Sequence, residues 1–303
     1  MAEKLRIGVI FGGRSGEHEV SIASAASVMA ALDTDKYEII PIGITHEGRW
    51  LAGVNPQALT QGTAMDASGQ GVTAVAITGD PTQRGLVSAS PPGTSSVPPA
   101  LDVVLPVLHG PYGEDGTLQG LLEMAGVPYA GSGVLGAALG MDKEKAKQVF
   151  LAEGLPVVEW LTVRRHEHDR DPEALADRVE ARFAYPVFVK PANLGSSVGI
   201  SRARSAEEFA QSCALAFRFD RKILVERCID RAREIECSVL EDANSHVRAS
   251  PPGEIVPADK HGFYSYDAKY TDAKGASLVI PADVSSEQKA RFQELAIATF
   301  QVL

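Results

Sequence analysis

The 303-residue sequence has few cysteines, few aromatic residues and an excess of negative charge. Its three cysteines, Cys213, Cys228 and Cys237, are odd in number and none has CxxC spacing. This number and spacing argue against a disulfide framework and against a cysteine zinc site. We therefore expect the three cysteines to act as small, buried apolar residues. With 29 Lys and Arg against 39 Asp and Glu, the formal net charge is −10. A general binder of nucleic acids or of anionic membranes requires a basic face, so we predict neither partner.

Long hydrophobic runs are also missing. The first apolar run, at residues 5–11, is too short for a signal peptide. No stretch approaches the length of a membrane span, and we expect a cytoplasmic protein. The hydrophobic content of 45% is ordinary, and 303 residues predict two or three domains.

The N-terminal part has the pattern of an α/β domain. A buried strand at 5–11 runs into a glycine turn, a helix follows at 21–32, and a second strand follows at 37–44. This order begins a doubly wound α/β sheet. Residues 52–100 are rich in Gly, Ser, Thr, Pro and Ala, and we interpret them as an elaborated hairpin or surface excursion. A strand at 103–107 and a helix at 117–125 complete a first domain, predicted at 1–131.

The rest of the chain is predicted to form a central domain at 132–225 and a C-terminal one at 226–303. Helices are predicted near 143–153, 172–183, 205–219 and from Ser285 onward, and strands near 187–190, 223–226, 234–240 and 278–280. Ser205 and Ser285 each begin a capping-box pattern. The charged run at 164–171 contains two histidines, and we interpret it as a solvated connection rather than a metal site.

Two glycine patterns suggest chemistry that their surroundings do not support. Residues 131–136 match GxGxxG, but the apolar stretch before them is short and contains proline, unlike a dinucleotide fingerprint. Residues 195–199 match GxSxG, but four residues separate them from the preceding strand, unlike a nucleophile elbow. A plain glycine turn and a hydrolase acting through Ser197 remain alternatives. A Gly/Ser loop that folds over phosphate oxygens fits better.

Two lysines favour a nucleotide phosphate site. Lys190 ends a buried strand, at the sheet edge where α/β ligands bind, and Lys143 begins a helix, where an anion would offset the helix dipole. There is no GxxxxGK[ST] pattern, so the chain is not a P-loop protein. Residues 262–270 hold three Tyr, an Asp and a Lys, which suits a lid over a polar ligand or an aromatic hairpin on the core.

These motifs together resemble a known family. The pattern Gly12-Gly13-x-Ser15-x-Glu17-x-Glu19-Val20-Ser21 is similar to the N-terminal motif of D-alanine–D-alanine ligases, members of the ATP-grasp superfamily. The family's later motifs follow in order: His109-Gly110 with Gly113 to Gly120, Tyr129 to Gly133, Met141-Asp142-Lys143, Val189-Lys190-Pro191 with Gly195 to Gly199, and Phe263 to Tyr270. Each is weak alone, but the order is specific.

The resemblance implies a fold and an activity. The fold would be α/β, with an N-terminal doubly wound (pre-ATP-grasp, Rossmann-like) domain followed by a two-part α+β ATP-grasp fold. The activity would be ATP-dependent ligation of two D-alanines through an acyl phosphate, for peptidoglycan precursor synthesis. ATP and Mg²⁺ (or Mn²⁺) would be the cofactors, and the family is commonly a homodimer.

The resemblance also implies roles for residues. Glu17 would bind the ammonium of the first D-alanine, with Ser196 and Tyr270 as its hydrogen-bonded partners and catalytic companions, and His109 would line the same pocket. Tyr270 also favours an amine as the second nucleophile. The implied ATP-binding residues are Lys143, Lys190, Ser196, Ser197, Glu226, Arg227, Ile229, Glu234 and Lys269.

The family's metal ligands are expected beyond Leu303, and none is assigned within 1–303. We therefore hypothesise that the sequence is shorter than its full gene product, with an incomplete C-terminal domain. Two alternatives stay open. One is another ATP-grasp ligase with a different carboxylate and amine. The other is a truncated chain that binds nucleotide without turnover.

Overall fold

The computed structural model describes residues 4–61, 65, 71–83, 85–89, 100–258, 265, 269, 272 and 274–303. The chain divides into two compact units, Met1–Ala138 and Leu139–Leu303. None of the helices in the described ranges has the length and apolar character needed to span a membrane. The predicted division into three domains stays a prediction.

The first unit is built on one sheet with helices on both faces. Its elements are β1 (Leu5–Gly12), α1 (His18–Ala31), β2 (Tyr37–Ile44), β3 (Trp50–Ala52), α2 (Pro56–Thr60), β4 (Thr73–Ile77), β5 (Leu86–Ser88), β6 (Val103–Pro106), α3 (Thr117–Ala125) and α4 (Val134–Met141), which crosses the division between the units. The strand order is β5-β4-β3-β2-β1-β6.

Alternation along β1 creates two cores. Ile7, Val9 and Phe11 pack with α1, while Ile10 packs with the buried residues of α3. A strand covered on both faces must be apolar at nearly every position, as β1 is. β1 is parallel to β2 and β6, which confirms the doubly wound α/β prediction.

Of the two interpretations of 52–100, the described strands support the hairpin and not the surface excursion. β3, β4 and β5 extend the sheet as antiparallel neighbours, with Leu51, Val75 and Leu86 buried. The composition rich in small residues did not show that these short strands belong to the main sheet, since each offers only one or two core side chains.

The second unit holds a four-stranded sheet and smaller sheets. Its elements are α5 (Lys143–Ala152), β7 (Trp160–Arg164), α6 (Arg165–Arg170), α7 (Pro172–Phe183), β8 (Val187–Pro191), β9 (Ser201–Ala203), α8 (Ala206–Ala216), β10 (Lys222–Arg227), β11 (Glu234–Glu236), β12 (Val239–Glu241), β13 (Val247–Ala249), β14 (Gly253–Pro257), β15 (Ala276–Val279) and α9 (Ser286–Val302). The sheet orders are β7-β10-β8-β9, β11-β14-β15 and β12-β13.

The β7-β10-β8-β9 sheet has one apolar face and one face, here called the polar face, that carries charged side chains beside Phe188 and Leu224. Val187 and Val189 of β8 and Ile223 and Val225 of β10 belong to a core with α7 and α8. Because side chains alternate along a strand, the residues between them point to the opposite face. That face carries Lys190 and Glu226, and it positions the candidate site.

Several local predictions need correction. The strand expected at 234–240 is two strands, β11 and β12, with different partners, β14 and β13. The charged run at 164–171 is the helix α6 rather than a connection, and the strand β7 before it was missed. At Ser285, the capping box predicted from the sequence forms completely.

Candidate functional site

A glycine turn in the first unit brings Glu17 beside the loop that holds His109. Gly12 has a φ of +86°, and a Cβ there would lie 2.4 Å from the Ile44 carbonyl oxygen, so only glycine fits. The Ser15 hydroxyl accepts from the Glu17 amide at 3.2 Å and donates to the His109 carbonyl at 2.7 Å. One serine therefore joins the ends of β1 and β6.

Glu17 is buried at the N-terminus of α1, with 4% of its surface exposed. A Cβ at Gly110 would lie 2.7 Å from a Glu17 carboxylate oxygen, so the next residue after His109 lies against this carboxylate. The helix dipole favours a negative charge at this end. The structure thus brings together Glu17 and the His109 loop, two of the sequence-predicted substrate residues.

His109 lines a cavity of about 290 Å³ at the ends of the parallel strands, shared with Gly13 and Leu108. Its Nε2 atom lies 3.2 Å from the Ser24 hydroxyl. Glu17 is outside the set of described residues that line this cavity. Ligands of open α/β sheets bind at this edge, so the cavity and the Glu17 carboxylate both belong to the expected place for a ligand.

The polar face of the second unit gathers three lysines around one carboxylate. Lys190 of β8 is opposite Leu224, and Glu226 is two residues further along β10, so the pair is a cross-strand diagonal. Lys190 Nζ lies 2.5 Å from Glu226 Oε2, and Lys147 Nζ lies 3.0 Å from Glu226 Oε1. Lys143 and Lys147 are four residues apart on α5 and share a helix face.

Burial and charge shift the pKa values in this cluster. Burial and, next in size, the Lys190 ammonium together lower the pKa of Lys143 to about 8, against the raising effect of Glu226. Burial alone would raise the pKa of Glu226, but the ammonium groups of Lys190 and Lys147 outweigh it and keep the pKa below its usual value. The site therefore combines an ionised carboxylate with an excess of cations, which suits a polyanion.

A turn after β8 places serines beside this cluster. Lys143 Nζ donates to the carbonyls of Leu194 and Ala192, the latter at 3.4 Å, which ties α5 to the start of the turn. Ser196 and Ser197 have φ values of +50° and +60°, which non-glycine residues rarely adopt. Strain of this kind persists where the surrounding structure enforces it, and it often marks ligand loops.

The described backbone does not form a nucleophile elbow at Ser197. The turn is followed by β9, whereas an elbow requires a helix immediately after the serine. The GxGxxG segment likewise leads into α4, without the strand of a βαβ unit before it among the described residues. Both patterns therefore lack the structural context of their usual chemistry.

The structure describes four of the remaining five predicted site residues. Arg227 is exposed and bonds Glu159 at 3.1 Å, and Ile229 is also exposed. Glu234 begins β11, and Lys269 is partly buried. Tyr270 lies outside the described residues, as does most of the predicted lid.

Lys147 was missed by the sequence reasoning. Its ammonium also donates to the Val158 carbonyl at 2.8 Å and lies 5.3 Å from the centre of the Trp160 ring. The signal was available, because Lys147 is four residues after Lys143 in a predicted helix and must share its face. A solvated lysine would have given the same sequence pattern.

The described residues of the lysine cluster do not fit a Mg²⁺ site. Mg²⁺ takes oxygen ligands in octahedral geometry, usually including carboxylates. The carboxylate oxygens of Glu226 are both held by lysines. The lysine cluster therefore lacks the free carboxylate oxygens that a Mg²⁺ ion would need.

The fold and the similarity to known proteins define an ATP-dependent ligase of the ATP-grasp class. Residues 6–132 match the family described as D-ala D-ala ligase N-terminus, and residues 149–303 match D-ala D-ala ligase C-terminus. The chain belongs to the D-alanine–D-alanine ligase family.

Individual relatives agree with this assignment. The chain is 51% identical to D-alanine–D-alanine ligase B of Bradyrhizobium diazoefficiens, over 99% of this chain and 78% of the relative. It is 45% identical to the D-alanine–D-alanine ligase of Natranaerobius thermophilus, over 99% of this chain and 79% of that relative. Among solved structures, the D-alanine–D-alanine ligase of Coxiella burnetii has a TM-score of 0.82 at 35% identity, covering 99% of this chain and 78% of that one. The VanG D-Ala:D-Ser ligase of Enterococcus faecalis has a TM-score of 0.83 at 34% identity, covering 99% and 83%.

Proposed function

We propose that this chain joins two D-alanine molecules with ATP to give D-alanyl-D-alanine, ADP and phosphate, for peptidoglycan precursors. The observation that carries the proposal is the lysine cluster, in which two ammonium groups pair with one carboxylate on a sheet face and a third, Lys143, interacts with it electrostatically. Such an excess of positive charge is what a carboxylate needs to approach a triphosphate. The identity of the relatives supports the choice of D-alanine.

The reaction proceeds in two steps. A carboxylate oxygen of the first D-alanine attacks the γ-phosphorus, and the bond from that phosphorus to ADP breaks to leave an acyl phosphate. The amine of the second D-alanine then attacks the acyl carbon, loses a proton, and displaces phosphate through a tetrahedral intermediate. In-line phosphoryl transfer is mostly positioning and charge neutralisation, which is the part that lysines supply.

Residues of both units have proposed roles. Glu17 binds the ammonium of the first D-alanine, supported by its burial at a helix N-terminus, and His109 lines the same pocket. Ser196 and Tyr270 are its proposed hydrogen-bonded partners. Lys143 and Lys190 contact the ATP phosphates. The other proposed ATP-binding residues are Ser196, Ser197, Glu226, Arg227, Ile229, Glu234 and Lys269.

The proposal is tested by phosphate release from ATP as a function of D-alanine concentration, with Mg²⁺ supplied. We expect D-alanine-dependent release and a dipeptide product detected by mass spectrometry. Glu17→Gln preserves size but removes the charge, and we expect at least about a hundredfold loss of kcat/KM for D-alanine. Glu38→Gln, an exposed acid on β2, is the matched control and should leave release unchanged. Equal activity of the Glu17 and control variants would refute the role of Glu17.

A second amine is a specific alternative, because one structural neighbour is a D-Ala:D-Ser ligase. The same assay with D-serine, and with amino acids of both hands, separates the substrates. Product formed only with another pair would replace the D-alanine assignment with another ATP-grasp ligase. Nucleotide binding by calorimetry without any turnover would favour a silent chain.

We also propose Mg²⁺ or Mn²⁺ as the partner of ATP, a homodimer, and a cytoplasmic location where ATP is available. Family membership supports the first two. Removal of the metal with a chelator tests the metal requirement, and sedimentation velocity tests the homodimer. Phosphate release that continues in excess chelator, or a single monomeric species, would contradict the corresponding proposal.

A further inference from the structure

A cluster of two histidines and a glutamate lies on the first unit beside Glu17. His18 and Glu19 begin α1, and His46 lies in the turn between β2 and β3. One potential ligand atom from each of these three residues lies within 4.8 Å of the others. Neither the ligation chemistry nor the ATP site uses these three side chains.

His18 already has the second bond that a metal-binding histidine requires. Its Nδ1 atom lies 2.6 Å from the Gly13 carbonyl oxygen, which can only accept, so Nδ1 carries the hydrogen. In the neutral ring, Nε2 then presents a lone pair. Metal-binding histidines characteristically donate their other ring N–H to a carbonyl or carboxylate, which fixes ring orientation. His18 is 4% exposed and therefore rigidly placed.

The other two members are exposed and can adjust. The side chains of His46 and Glu19 are 58% and 76% exposed, and His46 Nε2 lies 3.1 Å from Glu19 Oε1. The imidazole rings of His18 and His46 stack with centroids 3.8 Å apart and 23° between their planes. A metal lies in the plane of each ligating ring, so His46 must rotate out of the stack to bind. Its exposure leaves room for that rotation.

The charge of the cluster suits a divalent cation. Glu47 follows His46, and its carboxylate interacts electrostatically with both imidazoles. The carboxylates of Glu19 and Glu47 attract a cation to the two rings, against the dipole at the start of α1 and the Arg14 side chain next to Gly48. Tetrahedral zinc with nitrogen and oxygen ligands needs ligand atoms roughly 3.4 Å apart, a small closure for flexible side chains.

We propose that His18, Glu19 and His46 form a binding site for a divalent transition metal, of which Zn²⁺ is the best fit. Two imidazoles and one carboxylate exclude Mg²⁺ as the preferred ion, because Mg²⁺ favours oxygen ligands. The bound ion would join the start of α1 to the β2–β3 turn. Glu17 precedes the first ligand directly, so the ion would also restrain the helix start that carries the Glu17 carboxylate, the proposed partner of the substrate's ammonium group.

The test is Zn²⁺ titration of the untagged full chain by calorimetry, with Co²⁺ as a spectroscopic probe of tetrahedral coordination. We expect one ion per chain and a higher melting temperature in its presence. His46→Ala should weaken binding at least about tenfold, and Glu19→Gln should weaken it less. Both residues are exposed, so these variants should fold even if a change at buried His18 does not.

His246→Ala is the matched control. His246 is an exposed histidine paired with Asp242 at 3.4 Å in the second unit, outside the three-ligand cluster. We expect this variant to bind Zn²⁺ like the parent chain. Absence of Zn²⁺ binding, retention of full affinity in His46→Ala, or an equal loss in His246→Ala would each overturn the proposal.

Discussion

Two charge clusters on strand β10 have opposite compositions. At one end, the Lys222 ammonium lies 2.5 Å from Asp142 and 2.8 Å from Glu144. At the other, Glu226 is held by Lys190 and Lys147, with Lys143 nearby. Lys222 and Glu226 are four residues apart and on the same face of the strand.

The composition of each cluster indicates its role. The Lys222 cluster has one cation and two acids, so it has no excess positive charge to offer an anion. Burial alone would lower the pKa of Lys222, but the two acids hold it above its usual value. The Glu226 cluster has more cations than acids, and burial lowers the pKa of Lys143 to about 8. A ligand with several negative charges would complete the second cluster, whereas the first is complete without one.

The largest expected effect is at Lys190. Lys190→Met should reduce ATP-dependent turnover by about 10²–10³-fold, because it removes the cation that we propose neutralises the transferred phosphate. The reduction is measured as kcat/KM for ATP, at equal folded fractions determined by circular dichroism. Full turnover in Lys190→Met would show that the cation excess does not mark the ATP site.

Lys222→Met should instead lower the stability of the protein and leave its turnover unchanged. It leaves Asp142 and Glu144 partly buried without their cation, which should lower the free energy of unfolding by about 3 kcal/mol. Urea denaturation measures this change, and activity per folded molecule should be unchanged. Lys222→Met combined with Glu144→Gln should recover part of the stability. A loss of turnover without a loss of stability would reverse the assignment of the two clusters.

The sequence predicted one of these clusters better than the other. Lys143 and Lys190 were predicted from their places at the start of a helix and the end of a buried strand, and Glu226 was predicted from the resemblance to the ligase family. The Lys222 cluster was not predicted, since its partners lie about 80 residues earlier at the start of α5. Pairings across such separations depend on how α5 packs on the sheet, which no local pattern encodes.

The same limit applies to the fold. β1, β2, α3 and α7 were predicted to within a residue or so, because long apolar runs or proline and glycine boundaries define them. The short strands β3 and β13 were missed, and β12 was joined to β11 in one predicted strand, because three residues carry no readable periodicity. His46 was missed for the reason that hid Lys222: its contact with α1 joins residues 27 positions apart.

The lowered pKa of Lys143 should make ATP affinity depend on pH, an effect of intermediate size. An ATP phosphate favours the ammonium form, so binding takes up a proton once the pH exceeds about 8, the pKa without ligand. ATP affinity should therefore fall by about tenfold from pH 7 to pH 9, measured by calorimetry. Stability of the ligand-free chain should instead rise over pH 8 to 10.5, because the unfolded lysine retains a proton that the folded one has lost.

Lys143→Arg is the control for that pH dependence. Arginine remains charged at pH 9, so the variant should lose most of the slope of ATP affinity with pH. An identical slope in parent and variant would mean that another group titrates on binding.

Lys147→Met should have the smallest effect within the Glu226 cluster. Without Lys147, Glu226 is held by Lys190 alone, which strengthens the ion pair that phosphate must compete with. We expect the KM for ATP to rise about threefold to tenfold with little change in kcat, because Lys147 acts through Lys190 rather than on phosphate. Steady-state kinetics measure both constants.

Lys147 could change the KM for ATP through the Lys190–Glu226 pair or by contacting phosphate directly. Repeating Lys147→Met in the Glu226→Gln background separates these two explanations. If Lys147 only moderates the Lys190–Glu226 pair, the effect of Lys147→Met on KM should disappear when Glu226 is already neutral, giving a coupling free energy of about 1 kcal/mol. If Lys147 contacts phosphate directly, its effect should persist unchanged in the Glu226→Gln background. Persistence would enlarge the phosphate-binding set from two lysines of α5 and β8 to three, and the charge excess would then belong to the ligand site throughout.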